Sequence, residues 1–105
     1  MGIINLDKKA FEELILEKKQ TVIVDFTAPW CVYCRKIAPV YERLAEEYEG
    51  QLIFARVNTD EEPQLTEQQL IEVLPTFVLY KEGEAVDSIV APASKSALEE
   101  VIGGR

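Results

Sequence analysis

The stretch Thr21-Val22-Ile23-Val24-Asp25-Phe26-Thr27-Ala28-Pro29-Trp30-Cys31-Val32-Tyr33-Cys34 decides the fold. From Thr21 to Thr27 it is short, β-branched and apolar on both faces except for one acid. That pattern predicts a buried strand with helices above and below it. Ala28-Pro29 breaks the run. Beyond it Ile37, Val40, Tyr41, Leu44 and Tyr48 recur at helical spacing. Pro39 lies inside this helix and should kink it, because it has no N–H to donate, and Gly50 should end it. The two cysteines therefore fall where a buried strand turns into a helix.

The rest of the chain builds outward from that unit. Upstream, Ile3-Ile4-Asn5 can form a short strand. Asp7 can cap a helix that carries Phe11, Leu14 and Ile15 on one face and ends near Gln20. Downstream, Leu52 to Val57 reads as a second buried strand, and Asn58-Thr59-Asp60 leads into a short helix from Pro63 to Ile71. Pro75 breaks the chain ahead of a third strand, Thr76 to Lys81. Glu82-Gly83 turns it into a hairpin partner, Ala85 to Val90. Ser94 or Ser96 caps a last helix with Leu98, Val101 and Ile102 as its buried stripe and Gly103-Gly104 as its stop. Strand–helix–strand units followed by a hairpin predict an α/β fold, a central mixed sheet flanked by helices on both faces. Residues 1–105 read as a single domain, with no repeat and no linker.

Composition removes whole classes of function. The 105 residues carry 11 Lys and Arg against 19 Asp and Glu, a formal charge of −8, so binding to nucleic acid is not expected. There is no histidine, which excludes Ser-His-Asp and Cys-His catalysis and histidine metal sites. Two cysteines alone cannot close a tetrahedral zinc site in one chain, so no metal is expected. No apolar run approaches the ~20 residues of a membrane span; the strongest is Phe77-Val78-Leu79-Tyr80. Charges at Asp7, Lys8 and Lys9 interrupt any signal-peptide core, and Leu6 stands where N-myristoylation after Gly2 requires Ser or Thr. The expectation is a soluble, cytoplasmic monomer without a membrane partner. In a reducing cytosol a lone, close cysteine pair points to redox chemistry more than to a structural bridge.

Cys31 and Cys34 are three apart at a helix start, which puts them on one face about 5 Å apart by Cα, within disulfide range. The free N–H groups and partial positive charge of a first helical turn favour a thiolate at Cys31, and a thiolate is the species that attacks a disulfide. Cys34, a turn further in, is placed to displace whatever Cys31 captures. The other readings are a structural disulfide, an inert buried pair, or half of a zinc site shared between chains. Asp25 shares a strand face with Ile23. A buried acid is costly and usually has a local purpose, though a salt bridge or a water-exposed sheet edge would also account for it. Arg56, in the second strand, can pair with Asp25 and favour its carboxylate, or can extend to solvent as a surface charge. Trp30 can shield the cysteines or can be a core aromatic.

At these residues the chain resembles the thioredoxin family. Val24-Asp25-Phe26-Thr27-Ala28-Pro29-Trp30-Cys31 is similar to the family's approach to its active site, and Leu74-Pro75-Thr76 to its cis-proline loop. Pro39, Asn58-Thr59-Asp60 and Glu82-Gly83 also fall where the family has them. The resemblance implies a protein-disulfide oxidoreductase with no bound cofactor. Cys31 would be the nucleophile and Cys34 the resolving thiol, the two forming the redox-active disulfide. Asp25 would be the buried carboxylate that moves the Cys34 proton. Trp30, Val32, Tyr33, Leu74 and Pro75 would form the docking surface, with Pro75 in the cis form. Implied partners are protein disulfides and an upstream thioredoxin reductase. Two rivals remain: a glutaredoxin-like, glutathione-linked reductant, suggested by Tyr33, and a non-catalytic binding module on the same fold.

The chain departs from the family at several places. Val32-Tyr33 stands where thioredoxins usually have Gly-Pro and glutaredoxins Pro-Tyr. Tyr33 restores an N–H that can donate to a cysteine sulfur, so the pair is expected to be more oxidising than a Gly-Pro one. Leu70, Val73 and Ala91-Pro92 replace glycine or small residues common in the family, which makes the recognition surface bulkier.

Overall fold

The structure, a computed structural model, describes residues 2–103. The buried run expected at Thr21–Thr27 is strand β2 (Val22–Thr27), and it occupies the middle of a five-stranded sheet. With β1 (Ile4–Asn5), β3 (Ile53–Asn58), β4 (Thr76–Lys81) and β5 (Glu84–Val90), the order is β1-β3-β2-β4-β5. β1, β3 and β2 run parallel; β4 is antiparallel to β2, and β5 to β4. The expected mixed sheet is therefore the one observed.

Alternation along β2 divides the core. Val22, Val24 and Phe26 face one layer with Phe11, Ile15 and Leu65, on helix α1 (Lys8–Phe11), its π-helical continuation (Glu12–Glu17) and α3 (Pro63–Gln68). Ile23 faces the other with Ile37, Tyr41, Leu44, Leu98 and Val101, on α2 (Val32–Glu47) and α4 (Lys95–Gly103). Asp25 projects into this second layer by the same alternation.

The helices differ from expectation mostly at their ends. The Asp7 carboxylate accepts from the Ala10 N–H, as a cap should. The helix it starts then widens, and Lys18 N donates five residues back to Glu13 O at 2.9 Å. Phe11 and Ile15 stay buried despite the wider turn. α2 runs through Pro39 as a single helix. α3 ends at Gln68 rather than Ile71, because Leu70 takes a left-handed φ of 60°, which the helix cannot continue. Ser94, not Ser96, caps α4, accepting from Ala97 N. Gly104, the second half of the expected stop, lies outside the described residues.

One side chain pins α2 to the sheet. Tyr41 is fully buried, and its hydroxyl lies 3.0 Å from Ile23 O on β2 and 2.7 Å from Ala55 O on β3. Its ring contacts Phe54 and Phe77 at centroid distances of 5.4 and 5.1 Å. With one proton the hydroxyl serves one carbonyl at a time, so it sits astride the β2–β3 seam. Tyr41→Phe removes that donor but keeps the ring, and should lower unfolding stability by about 1–2 kcal/mol in urea titration. A variant as stable as the parent would mean the hydroxyl contributes nothing.

Candidate active site

Register brings the expected site residues to one end of the sheet. Thr27 pairs with Asn58, Phe26 with Thr76, and Thr76 with Val90. The chain segments leaving β2 and β3, those entering β4, and those leaving β5 therefore gather at a single edge. That edge carries the cysteines, Asn58-Thr59-Asp60, Leu74-Pro75 and Ala91-Pro92.

Cys31 is the N-cap of α2, with extended backbone at φ −79° and ψ 111°. Its sulfur accepts from the Cys34 N–H at 3.2 Å. The two cysteines form a disulfide with a Cα–Cα distance of 5.2 Å, close to the spacing expected for a helix start. Both cysteines are buried, Cys31 at 8% exposed and Cys34 at 3%, so the residue at the helix mouth is also the more exposed of the two. The sequence expectation put the sulfur's donor at Tyr33. The structure puts it at Cys34, an N–H that exists whichever residue occupies position 33. The expected rise in potential thus loses its stated reason.

Asp25 is buried beneath α2. Burial pushes its carboxyl up to about 6, and the nearby Arg56 guanidinium offsets only part of that. Of the two expectations for Arg56 both hold in part: Nε lies 3.5 Å from Asp25 Oδ2, while the side chain stays 27% exposed. Pairing was expected to favour the carboxylate; desolvation outweighs it. Asp25 Oδ1 and Arg56 Nη2 are buried and accept or donate no hydrogen bond. Both residues line a cleft of about 730 Å³ together with Cys34.

The docking candidates separate by exposure. Trp30 is 65% exposed, which removes the core-aromatic reading, and Nε1 donates to Asp60 Oδ1 at 3.1 Å. Asp60 is itself held by a turn in which Asn58 Oδ1 accepts from the Asp60 N–H at 2.9 Å. Val32 is exposed beside Cys31. Leu74 is half-buried and Pro75 buried, joined by a cis peptide bond. Tyr33 is half-buried; its hydroxyl donates to Pro92 O at 2.5 Å. Sequence reasoning missed Asp60 as the anchor of Trp30 and Pro92 as the acceptor for Tyr33. The Asn58–Asp60 turn was a local signal, but neither long-range partner has one.

The sequence profile described as Thioredoxin matches residues 2–103. Thioredoxin 1 of Nostoc sp. (strain PCC 7120 / SAG 25.82 / UTEX 2576) is 40% identical over 92 residues, covering 88% of this chain and 86% of that protein. Thioredoxin of Porphyra purpurea is 34% identical over 102 residues, covering 97% and 95%. The solved structure of Plasmodium falciparum thioredoxin superposes with a TM-score of 0.88 at 36% identity, covering 97% of this chain and 98% of its own. The agreement extends across the whole sheet and through the cysteine pair, and the chain belongs to the thioredoxin family of protein-disulfide oxidoreductases.

Proposed function

We propose that this protein reduces protein disulfides with Cys31 as nucleophile and Cys34 as resolving thiol. The observation that carries the assignment is the placement of Cys31: it caps α2, it is the more exposed cysteine, and its sulfur accepts from the Cys34 N–H. A first-turn N–H and the helix field both favour negative charge on that atom. The Cys31 thiolate attacks one sulfur of the target disulfide, forms a mixed disulfide and expels the other target sulfur as a thiolate. Cys34 then gives up its proton, attacks Cys31 Sγ and releases the second target thiolate. Two electrons pass to the target, and the Cys31–Cys34 disulfide remains for an upstream reductase to open.

Asp25 fits the role of acceptor for the Cys34 proton. With its carboxyl near 6 it is mainly ionised at neutral pH, yet basic enough to take a proton transiently. Trp30, Val32, Tyr33, Leu74 and Pro75 would form the docking edge around Cys31. The segment beside Pro75 would pair with the target chain as an added strand. The same reading has the protein act as a monomer in a reducing cytoplasm. Glutathione is a weaker candidate substrate: the chain is acidic, and glutathione is an anion.

In an insulin-reduction assay, Cys31→Ser should abolish turnover. Cys34→Ser should still attack and accumulate as a covalent mixed disulfide visible by intact mass. Trapping by Cys31→Ser instead would reverse the assignment, and turnover faster with glutathione disulfide than with insulin would favour the glutathione-linked reading.

The elevated carboxyl of Asp25 also predicts a pH-dependent stability cost. Native Asp25 holds its proton up to about pH 6, whereas an ordinary carboxyl releases it near 3.8. Between those values the native state binds more protons, so stability falls as pH rises through the window. Asp25→Asn removes the effect. Its stability relative to the parent should climb by roughly 2–3 kcal/mol from pH 4 to pH 7 in denaturant titrations. A difference that stays flat would mean the native carboxyl titrates normally.

A further inference from the structure

Three chain segments meet around the cysteines, and one tyrosine joins two of them. Tyr33, between the cysteines, donates through its hydroxyl to Pro92 O at 2.5 Å across 59 residues of sequence. The residue next to that acceptor, Ala91, donates its N–H to Pro75 O at 2.8 Å. The Ala91–Pro92 loop is thus held on one side by the α2 start and on the other by the segment that opens β4. It is held in an uncommon shape. Ala91 has φ 43°, a left-handed conformation that L-residues other than Asn and Asp rarely adopt, and it is exposed, with no packing of its own to enforce that angle. A backbone kept there persists only where its surroundings over-determine it. The two hydrogen bonds are what does so here, together with the burial of Pro92.

We propose that Tyr33 is a positioning residue: through its hydroxyl it fixes the Ala91–Pro92 loop as one wall of the groove in which a protein substrate lies against Pro75. The sequence alone places Tyr33 in the docking surface and credits its backbone N–H, not its hydroxyl. Its hydroxyl faces a backbone carbonyl instead, and acts on the loop rather than on the sulfurs. Proline, which thioredoxins usually carry at this place, could not make the bond, since it has no hydroxyl. The wall matters for a substrate long enough to lie along it, and little for a small disulfide that touches only Cys31. This inference rests on the proposed disulfide-reductase function and deepens it, by assigning discrimination between extended and small disulfides to one hydroxyl.

Tyr33→Phe keeps the ring and removes the bond. The test compares kcat/KM for insulin with kcat/KM for a small aromatic disulfide, dithiobisnitrobenzoate, in parent and variant. The ratio of the two should fall roughly three- to ten-fold, the factor expected for losing one net hydrogen bond, with the loss carried by KM for insulin. Equal falls on both substrates would assign Tyr33 to the thiol chemistry and overturn the proposal. A lowered Tm with an unchanged ratio would make the bond purely structural and overturn it equally. A parent protein that reduces neither substrate would instead defeat the disulfide-reductase reading, which separates the two failures.

Discussion

A strand buried on both faces in the middle of the sheet is the constraint from which the rest follows. β2 has β3 on one side, β4 on the other, and a helical layer above and below. Its backbone groups are satisfied by ladders, so the chain can turn only after Thr27, at the sheet's edge. The turn delivers Cys31 to the start of a 16-residue helix whose first N–H groups have no partner of their own within the helix. Cys31 fills that need by capping, and in doing so places its sulfur where negative charge is most easily held. Fold and reactivity are one arrangement in this proposal: the helix needs a cap, and the cap is the sulfur proposed as the nucleophile.

The same strand carries the least comfortable group in the core. Asp25 lies where Ile23 would predict another apolar side chain, and one of its oxygens has no hydrogen-bond partner. Arg56, paired with it across β2 and β3, stands too far and too wet to repay the loss of water. The result is a carboxyl of raised pKa in the cleft shared with Cys34. Burial of this carboxyl costs stability at neutral pH. Perturbed groups of this kind concentrate at functional sites, and the geometry here supplies the reason.

Much of this was legible in the residues. The both-faced apolar run Val22–Phe26, the helical spacing from Ile37 to Leu44 and the turn at Glu82-Gly83 locate three of the five strands and the long helix. These are strong local patterns, because burial repeats along each element. Helix ends were read less well. Widening after Phe11 changes no apolar position, so the sequence carries no mark of it, and the early stop of α3 depends on a leucine in a conformation usually given to glycine. At the site, the cysteine pair and its surroundings were visible through spacing and family resemblance. The bonds of Trp30 to Asp60 and of Tyr33 to Pro92 were not, since they join residues brought together only by sheet register. The state of Asp25 turned on a contest between burial and Arg56, whose outcome depends on a 3.5 Å separation that no sequence displays.

Two sulfurs at the mouth of α2 open and close one bond as a unit in this fold. Equilibration of the purified protein in buffers graded from dithiothreitol to glutathione couples, followed by alkylation and intact mass, reads that exchange. Two populations only are expected, both cysteines alkylated or neither, exchanging with a Nernst slope of about 30 mV per decade for two electrons. A substantial singly alkylated population, or thiols that stay reduced through the whole series, would contradict it.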